Sequence, residues 1–167
     1  MHTIVRVFCP FIVAAVFSAG SVVAQQKPGA FADMARKADA VVVGKVTTLH
    51  SEWSADRSRI FTRVTIGVDQ YLKGSDAGGS ITLLTPGGEI GGVGEVYSHM
   101  PTFRADENVV VFVEKDAQGQ YRVCQGSLGK YTIEKDQHTG RELVSGVTPL
   151  VQFAGAVRHA LQNTGAR

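Results

Sequence analysis

The sequence predicts a mainly β domain of the α+β class, built on an antiparallel sheet. Between Ala38 and Gly74, two runs rich in β-branched residues flank a polar turn, which is the pattern of paired strands in a small barrel or sandwich. A long glycine-rich stretch follows, and a fully apolar run from Val109 to Val113 then fits a central strand. Helical patterns flank the strands, so we expect helices to pack on the sheet.

The start of the chain has the organisation of an export signal. Arg6 provides a positive charge, Val7 to Val16 an apolar core, and Val22 to Ala24 small residues at the cleavage position, which together predict a signal peptide over residues 1–24. A membrane-spanning helix is the alternative, but Pro10 and small polar residues interrupt a stretch that needs about 20 apolar residues. We therefore predict an exported protein, periplasmic or secreted, without stable membrane insertion.

Local patterns predict the first helix and the first two strands. Ala30 to Ala38 has helical composition, with Phe31 and Met34 on one side. Ala40 to Leu49 is apolar at first and then alternates, as a strand does, and Ser51 to Ser58 is a polar turn. The second strand alternates along its whole length, and one face is expected to meet the core. That face comprises Ile60, Thr62, Val64, Ile66 and Val68.

The middle of the chain predicts a third strand and then a long irregular loop. Ser80 to Thr85 forms the strand. Pro86 to Arg104 contains five glycines, followed by Tyr97, His99 and Met100. Loops of this length are uncommon in compact domains and are often functional. We therefore expect this loop to contact a partner.

The last third of the chain predicts two further strands and a closing helix. Tyr121 to Gln125 returns as the hairpin partner of the central strand after a turn at Asp116 to Gly119, and Leu128 to Glu134 forms one more strand. Thr148 is placed to cap the helix, with Pro149 in its first turn. The helix face toward the sheet is predicted to comprise Leu150, Val151, Phe153, Ala154, Val157 and Leu161.

Composition limits the classes of function. The chain contains 17 Lys and Arg against 15 Asp and Glu, a formal net charge of +2, and it has no long basic run. This near balance does not favour a nucleic-acid partner, because phosphate neutralisation supplies most of the affinity for polyanions. Cys9 leaves with the signal, so Cys124 is the one cysteine of the mature chain and no intramolecular disulfide is possible.

Five segments between Ala30 and Lys135 share a pattern with a known family. They are ADAVVVGKV, VTIGVDQYLKG, the loop with TPGGEIGG, the hairpin ENVVVFVEKDAQGQYRV, and Cys124-Gln125-Gly126. In order and spacing they resemble the netrin-like module, the fold of tissue inhibitors of metalloproteinases. The resemblance implies an OB-like five-stranded antiparallel β-barrel with a short N-terminal helix and a C-terminal helix. Residues 25–167 are accordingly predicted to form one domain.

The resemblance also implies a protein partner, an exported metalloprotease. In that family an N-terminal cysteine places its amine and carbonyl on the zinc of the target, but Gln25 stands at the predicted mature terminus and cannot supply this clamp. An inhibitory contact therefore needs another route, such as the leader or the glycine-rich loop laid across a cleft.

We predict a non-enzymatic exported binding module that contacts or inhibits such a partner, without a cofactor or metal. The leader and the long loop are expected to form the contact surface. The predicted partner-binding residues are Gln25, Gln26, Gly91, Gly92, Tyr97, His99 and Met100.

The alternative is a secreted hydrolase that uses Cys124 or a histidine-bound metal. Cys124 lies within a predicted strand, where a small apolar side chain is wanted, and this placement disfavours a nucleophile. The histidines of the mature chain lack the close spacing with another ligand that marks a metal site. They are His50, His99, His138 and His159.

Overall fold

The computed structural model describes residues 30–75 and 78–163, so the predicted signal peptide and the leader residues Gln25 and Gln26 lie outside the described residues. The described chain forms two α-helices, ten strands and one 3₁₀ turn. In chain order they are α1 (Ala30–Lys37), β1 (Ala40–Trp53), β2 (Ile60–Lys73), β3 (Ser80–Pro86), β4 (Gly88–Ile90), β5 (Val93–Glu95), β6 (Asn108–Lys115), β7 (Tyr121–Val123), the 3₁₀ turn (Gly126–Gly129), β8 (Lys130–Lys135), β9 (Glu142–Val144), β10 (Thr148–Pro149) and α2 (Leu150–Gln162).

Five strands close into a barrel in the order β1-β2-β3-β7-β6, and β6 pairs back onto β1. This mainly β architecture with two helices confirms the predicted OB-like class. One detail of the prediction is wrong, because β3 and β7 pair in parallel at Leu83 and Tyr121. The other four seams are antiparallel, and a closed ring with an odd number of strands cannot be antiparallel at every seam.

The sheet continues outside the barrel as β8, β9 and β10. β8 pairs with the first half of β6, between Asn108↔Ile133 and Val111↔Lys130, whereas β7 pairs with its second half. The short strands β9 and β10 are additions that the sequence did not predict. They lead the chain back to the start of α2.

The beginning of β1 (residues 40–44) and the middle of β6 (residues 109–113) are buried on both faces, which explains their continuous apolar runs. One face points into the barrel, and the other packs under α1 and α2. The interior cluster includes Val42, Val46, Val64, Ile66, Ile81, Leu83, Val109, Val111 and Val113. The cluster under the helices includes Met34, Ala35, Val41, Val43, Val110, Phe112, Phe153, Ala154 and Val157.

The alternation predicted for β2 is confirmed. Ile60, Val64 and Ile66 are fully buried on the core face, whereas Arg63 is exposed on the other. β1 is longer than predicted and runs to Trp53, because β2 continues to pair with it beyond Leu49.

The closing helix is confirmed, but its start and one residue of its inner face are corrected. Thr148 does not cap the helix, since it lies in β10 opposite Val144, and Pro149 occupies the N-cap position without a side-chain cap bond. The helix buries Phe153, Ala154 and Val157 as predicted, together with Ala160. The predicted contribution of Val151 to that face is wrong, because its side chain is 76% exposed.

Three further boundaries differ from the prediction. The loop after β3 is not irregular throughout, because β4 and β5 form a small hairpin within it. β7 ends at Val123, so Cys124 lies in the turn before the 3₁₀ helix rather than in a strand. β8 begins at Lys130 rather than at Leu128, because residues 126–129 form the 3₁₀ turn.

Neither helix among the described residues is long and apolar enough to cross a bilayer.

Candidate functional site

A cleft of about 410 Å³ opens at one mouth of the barrel, between the strands β1, β2 and β3 and the long loop that follows β3. We call it the barrel-mouth cleft. Its floor continues the inward face of the strands, because the pairs Leu49↔Val64, Ser51↔Thr62 and Thr62↔Thr85 align their side chains on one side of the sheet. Apolar packing thus gives way to hydroxyl groups at the end of the barrel. The lining comprises Leu49, Ser51, Thr62, Val64, Thr85, Pro86, Gly87, Gly88, Glu89, Glu95, Val96, Tyr97, Met100, Pro101, Thr102 and Phe103.

The hydroxyl groups of the floor hold the beginning of the loop. Thr62 Oγ1 donates to the carbonyl of Gly87 at 2.7 Å, and Ser51 Oγ lies 3.1 Å from Thr62 Oγ1. Gly88 passes directly over both hydroxyls with φ +143°, and a Cβ there would lie 2.4 Å from Thr62 Oγ1 and 2.6 Å from Ser51 Oγ. This close approach requires glycine, since any side chain would overlap the floor.

Glu95 joins the hairpin β4–β5 to the start of β2. Its Oε2 accepts the backbone N–H of Ile60 at 2.9 Å and the hydroxyl of Tyr97 at 3.1 Å. Partial burial raises the pKa of Tyr97, and the hydrogen bond and negative charge of Glu95 raise it further, against a smaller opposite effect of Arg59. Tyr97 is therefore a neutral phenol that donates to Glu95 at physiological pH.

The far wall of the cleft is apolar and partly open to solvent. Pro101 is buried and Phe103 half-buried, whereas Met100 is 41% exposed. Across the opening, Leu49 is 37% exposed. Exposed apolar groups that rim a concave site are typical of a surface that binds a partner.

The middle and the end of the loop are anchored to β8 and to the turn before it. The carbonyl of His99 accepts the backbone N–H of Ser127 at 2.8 Å, and His99 itself has φ +68°. Lys130 Nζ donates to the carbonyl of Thr102 at 2.9 Å and lies 5.2 Å from the ring centre of Phe103. With the contacts of its first glycines, these bonds hold the loop at its beginning, middle and end. The cleft is thus largely formed before any partner binds.

The lining of the cleft has an acidic character. It includes the carboxylates of Glu89 and Glu95 and contains no Lys, Arg or His side chain. Its other polar groups are hydroxyls, which both donate and accept hydrogen bonds.

The structure brings two of the predicted partner-binding residues into this cleft, Tyr97 and Met100. His99 lies between them in the chain, but its backbone anchors the loop and its side chain is exposed. Gly91 and Gly92 form the exposed tip of the β4–β5 hairpin and do not line the cleft. The leader residues fall outside the described part of the chain, so the predicted binding surface as a whole stays a prediction.

The sequence predicts Thr62 and Val64 of the cleft floor on the core face of the second strand, but it does not identify Ser51 or the carboxylate of Glu95. Ser51 is predicted in a turn, and no motif contains Glu95. Ser51 lies in the polar run from His50 to Glu52, so no apolar alternation marks this end of β1 as a strand. No local signal identifies Glu95, because its contact with Ile60 joins positions that lie 35 residues apart.

The groups that the hydrolase alternative needs are unfavourably placed. Cys124 is 2% exposed, and burial, with smaller contributions from Glu114 and Asp39, raises the pKa of its thiol to about 12. The thiol is therefore neutral and inaccessible in this conformation. Within residues 30–75 and 78–163, no group of three or more His, Cys, Asp or Glu side chains is arranged to hold a metal ion.

A scan against protein-family models and a search of curated proteins each found no match to this chain. The barrel agrees with the fold that a netrin-like module implies, and the family resemblance itself stays a prediction.

Proposed function

We propose that this protein is a non-enzymatic binding module that holds an extended segment of a protein partner in the barrel-mouth cleft. The observation that supports this proposal is the long loop, whose beginning, middle and end are held in place so that it forms the wall of a concave site with apolar rims. OB-type barrels bind extended ligands, oligonucleotides and oligosaccharides, on the face formed by their second and third strands, which also line this cleft.

The edge of β1 beside the cleft favours an extended partner. β6 pairs with β1 only as far as Lys45↔Asn108, and backbone bonds from residues 106 and 107 then reach Val46. Beyond Val46, no described strand pairs with this edge of β1 as far as Trp53. A free strand edge beside a groove can add an extended segment by main-chain hydrogen bonds, with alternate side chains entering the groove.

The predicted partner class is an exported metalloprotease, and this part of the function stays a prediction. Its first predicted contacts, Gln25 and Gln26, belong to the segment outside the described residues. A secreted metalloprotease incubated with the purified protein tests this class directly, through the rate at which the enzyme cleaves a fluorogenic peptide.

The binding proposal is tested with an array of random ten-residue peptides probed with the purified protein. We expect a reproducible set of bound peptides, and Met100→Ser, which removes apolar surface from the rim of the cleft without adding charge, should weaken their binding. Val151→Ser is the matched control, because Val151 is an exposed apolar residue on α2 that does not line the cleft. The proposal fails if no peptide binds, or if both variants weaken binding equally.

A further inference from the structure

We infer that the barrel-mouth cleft selects partner segments that contain lysine or arginine, and that Glu95 binds the cationic end of that side chain. This inference rests on the proposed function and specifies the chemistry of the partner. It follows from three properties of the cleft: a half-buried carboxylate that can accept further hydrogen bonds, an excess of negative charge, and apolar walls.

Glu95 has an oxygen to spare. Both hydrogen bonds that it accepts, from Ile60 and from Tyr97, end on Oε2. Among the described residues, none donates a hydrogen bond or forms an ion pair with Oε1. A carboxylate can accept about four hydrogen bonds, so Glu95 can bind an ammonium or guanidinium group without giving up its existing contacts.

The charges near the cleft favour a cation over an anion. The lining contains Glu89 and Glu95 and no basic side chain. Lys130 lies behind the wall, but its ammonium is 2.5 Å from the carboxylate of Glu107 and is thereby neutralised. Arg59 is exposed near Tyr97, and it forms no ion pair with a described residue. Arg59 offsets one of the two carboxylates of the lining, so an anionic segment would still meet a net negative charge, which disfavours its binding by like-charge repulsion.

The apolar walls of the cleft can pack against the stem of a lysine or arginine side chain. Lysine and arginine have long apolar stems that pack on apolar surface while the charged end reaches a polar group. Leu49, Met100 and Phe103 offer this surface in the same cleft as Glu95. A neutral side chain of equal length would fill the walls and leave the carboxylate partly desolvated without a counter-charge.

The test compares two peptides that differ at one position. A lysine-containing peptide from the array and its norleucine analogue are titrated into the protein by isothermal titration calorimetry. We expect the norleucine peptide to bind at least about tenfold more weakly, as for loss of one charged hydrogen bond. Raising the salt concentration should reduce this difference.

Two isosteric variants test which carboxylate causes the preference for the lysine peptide. Glu95→Gln keeps an oxygen acceptor for Ile60 and Tyr97 but removes the charge, so we expect both peptides to bind this variant about equally. Glu89→Gln removes the other carboxylate of the lining and should preserve most of the preference for lysine. Equal effects of the two variants would overturn the assignment to Glu95.

The outcomes separate the inference from the proposed function. If the protein binds peptides but shows no preference for lysine or arginine, the inference is wrong and the binding module stands. If no peptide binds, the proposed function itself fails. The comparison of the two peptides on the unaltered protein decides the preference even if Glu95→Gln does not fold.

Discussion

Lys130 Nζ lies 2.5 Å from Glu107 Oε1 in an ion pair whose side chains are only 13% and 12% exposed. Thr132 donates to the same oxygen at 2.7 Å, and the lysine also donates to the carbonyl of Thr102. The pair thus connects β8 to the residue that precedes β6 and to the end of the long loop. It holds the far wall of the barrel-mouth cleft against the sheet.

Loss of the lysine should destabilise the protein more than loss of an exposed ion pair. Lys130→Met leaves a shielded carboxylate without its partner, and we expect a loss of about 1–3 kcal/mol in the free energy of unfolding. Lys45→Met is the control, because its partner Asp106 is 82% exposed, and it should cost less than about 1 kcal/mol. Urea denaturation measures the free energy of unfolding of both variants. Equal losses would contradict the role given to the Lys130–Glu107 ion pair.

The same carboxylate makes stability depend on pH. Burial alone would raise the pKa of Glu107, but hydrogen bonds from Lys130, Thr132 and the backbone of Arg104 outweigh it and lower the pKa. Glu107 therefore binds a proton more readily in the unfolded state than in the folded state. The stabilisation is fully present above the unfolded pKa of about 4.3 and is lost as pH falls through the lower folded value.

We accordingly expect a smaller loss of stability between pH 5 and pH 3 in Glu107→Gln than in the unaltered protein. Four other carboxyl groups among the described residues have lowered pKa values, and they preserve part of the pH dependence of stability in both proteins. They are Asp56, Asp106, Asp116 and Asp136. Free energies of unfolding measured between pH 5 and pH 3 test this prediction. An identical pH dependence in the two proteins would exclude a contribution from Glu107.

Gly88→Ala should damage the cleft. The new methyl group would overlap the hydroxyls of Thr62 and Ser51, and the backbone has a φ that L-residues rarely adopt. We expect a loss of about 2 kcal/mol or more, seen as a lower Tm in thermal unfolding. Gly91→Ala is the matched control, because its Cβ would meet no atom within 4 Å, and its cost should be about 1 kcal/mol.

Cys124 should be unreactive in the folded protein. Because burial raises the pKa of its thiol to about 12, almost no thiolate exists at pH 8. We expect iodoacetamide to label Cys124 at least about a hundredfold more slowly in the native protein than in urea, with the site identified by mass spectrometry. Rapid labelling of the native protein would instead favour the hydrolase alternative.

The elements that sequence reasoning predicted best are those with a strong local pattern. β2 alternates strictly, β6 is continuously apolar, and α2 has a clear apolar face, and all three appear close to their predicted positions. Boundaries are less accurate where backbone pairing decides the structure and no side-chain pattern shows that pairing. Thr148 reads as a helix cap, but its pairing with Val144 makes it the start of a short strand.

The candidate site was predicted only in part for the same reason. Tyr97 and Met100 belong to a loop whose length and glycine content mark it as unusual. Ser51 and Thr62 belong to strands and look ordinary in the sequence, yet they form the floor on which that loop rests.

The sequence by itself determined the longer strands and both helices, because the local pattern of apolar and polar side chains shows which of their residues are buried. Only the tertiary structure decided that β3 meets β7 in parallel, that the loop folds over the barrel mouth, and that Glu95 reaches Ile60. These are contacts between distant parts of the chain, and their geometry depends on closure of the whole barrel rather than on any local pattern.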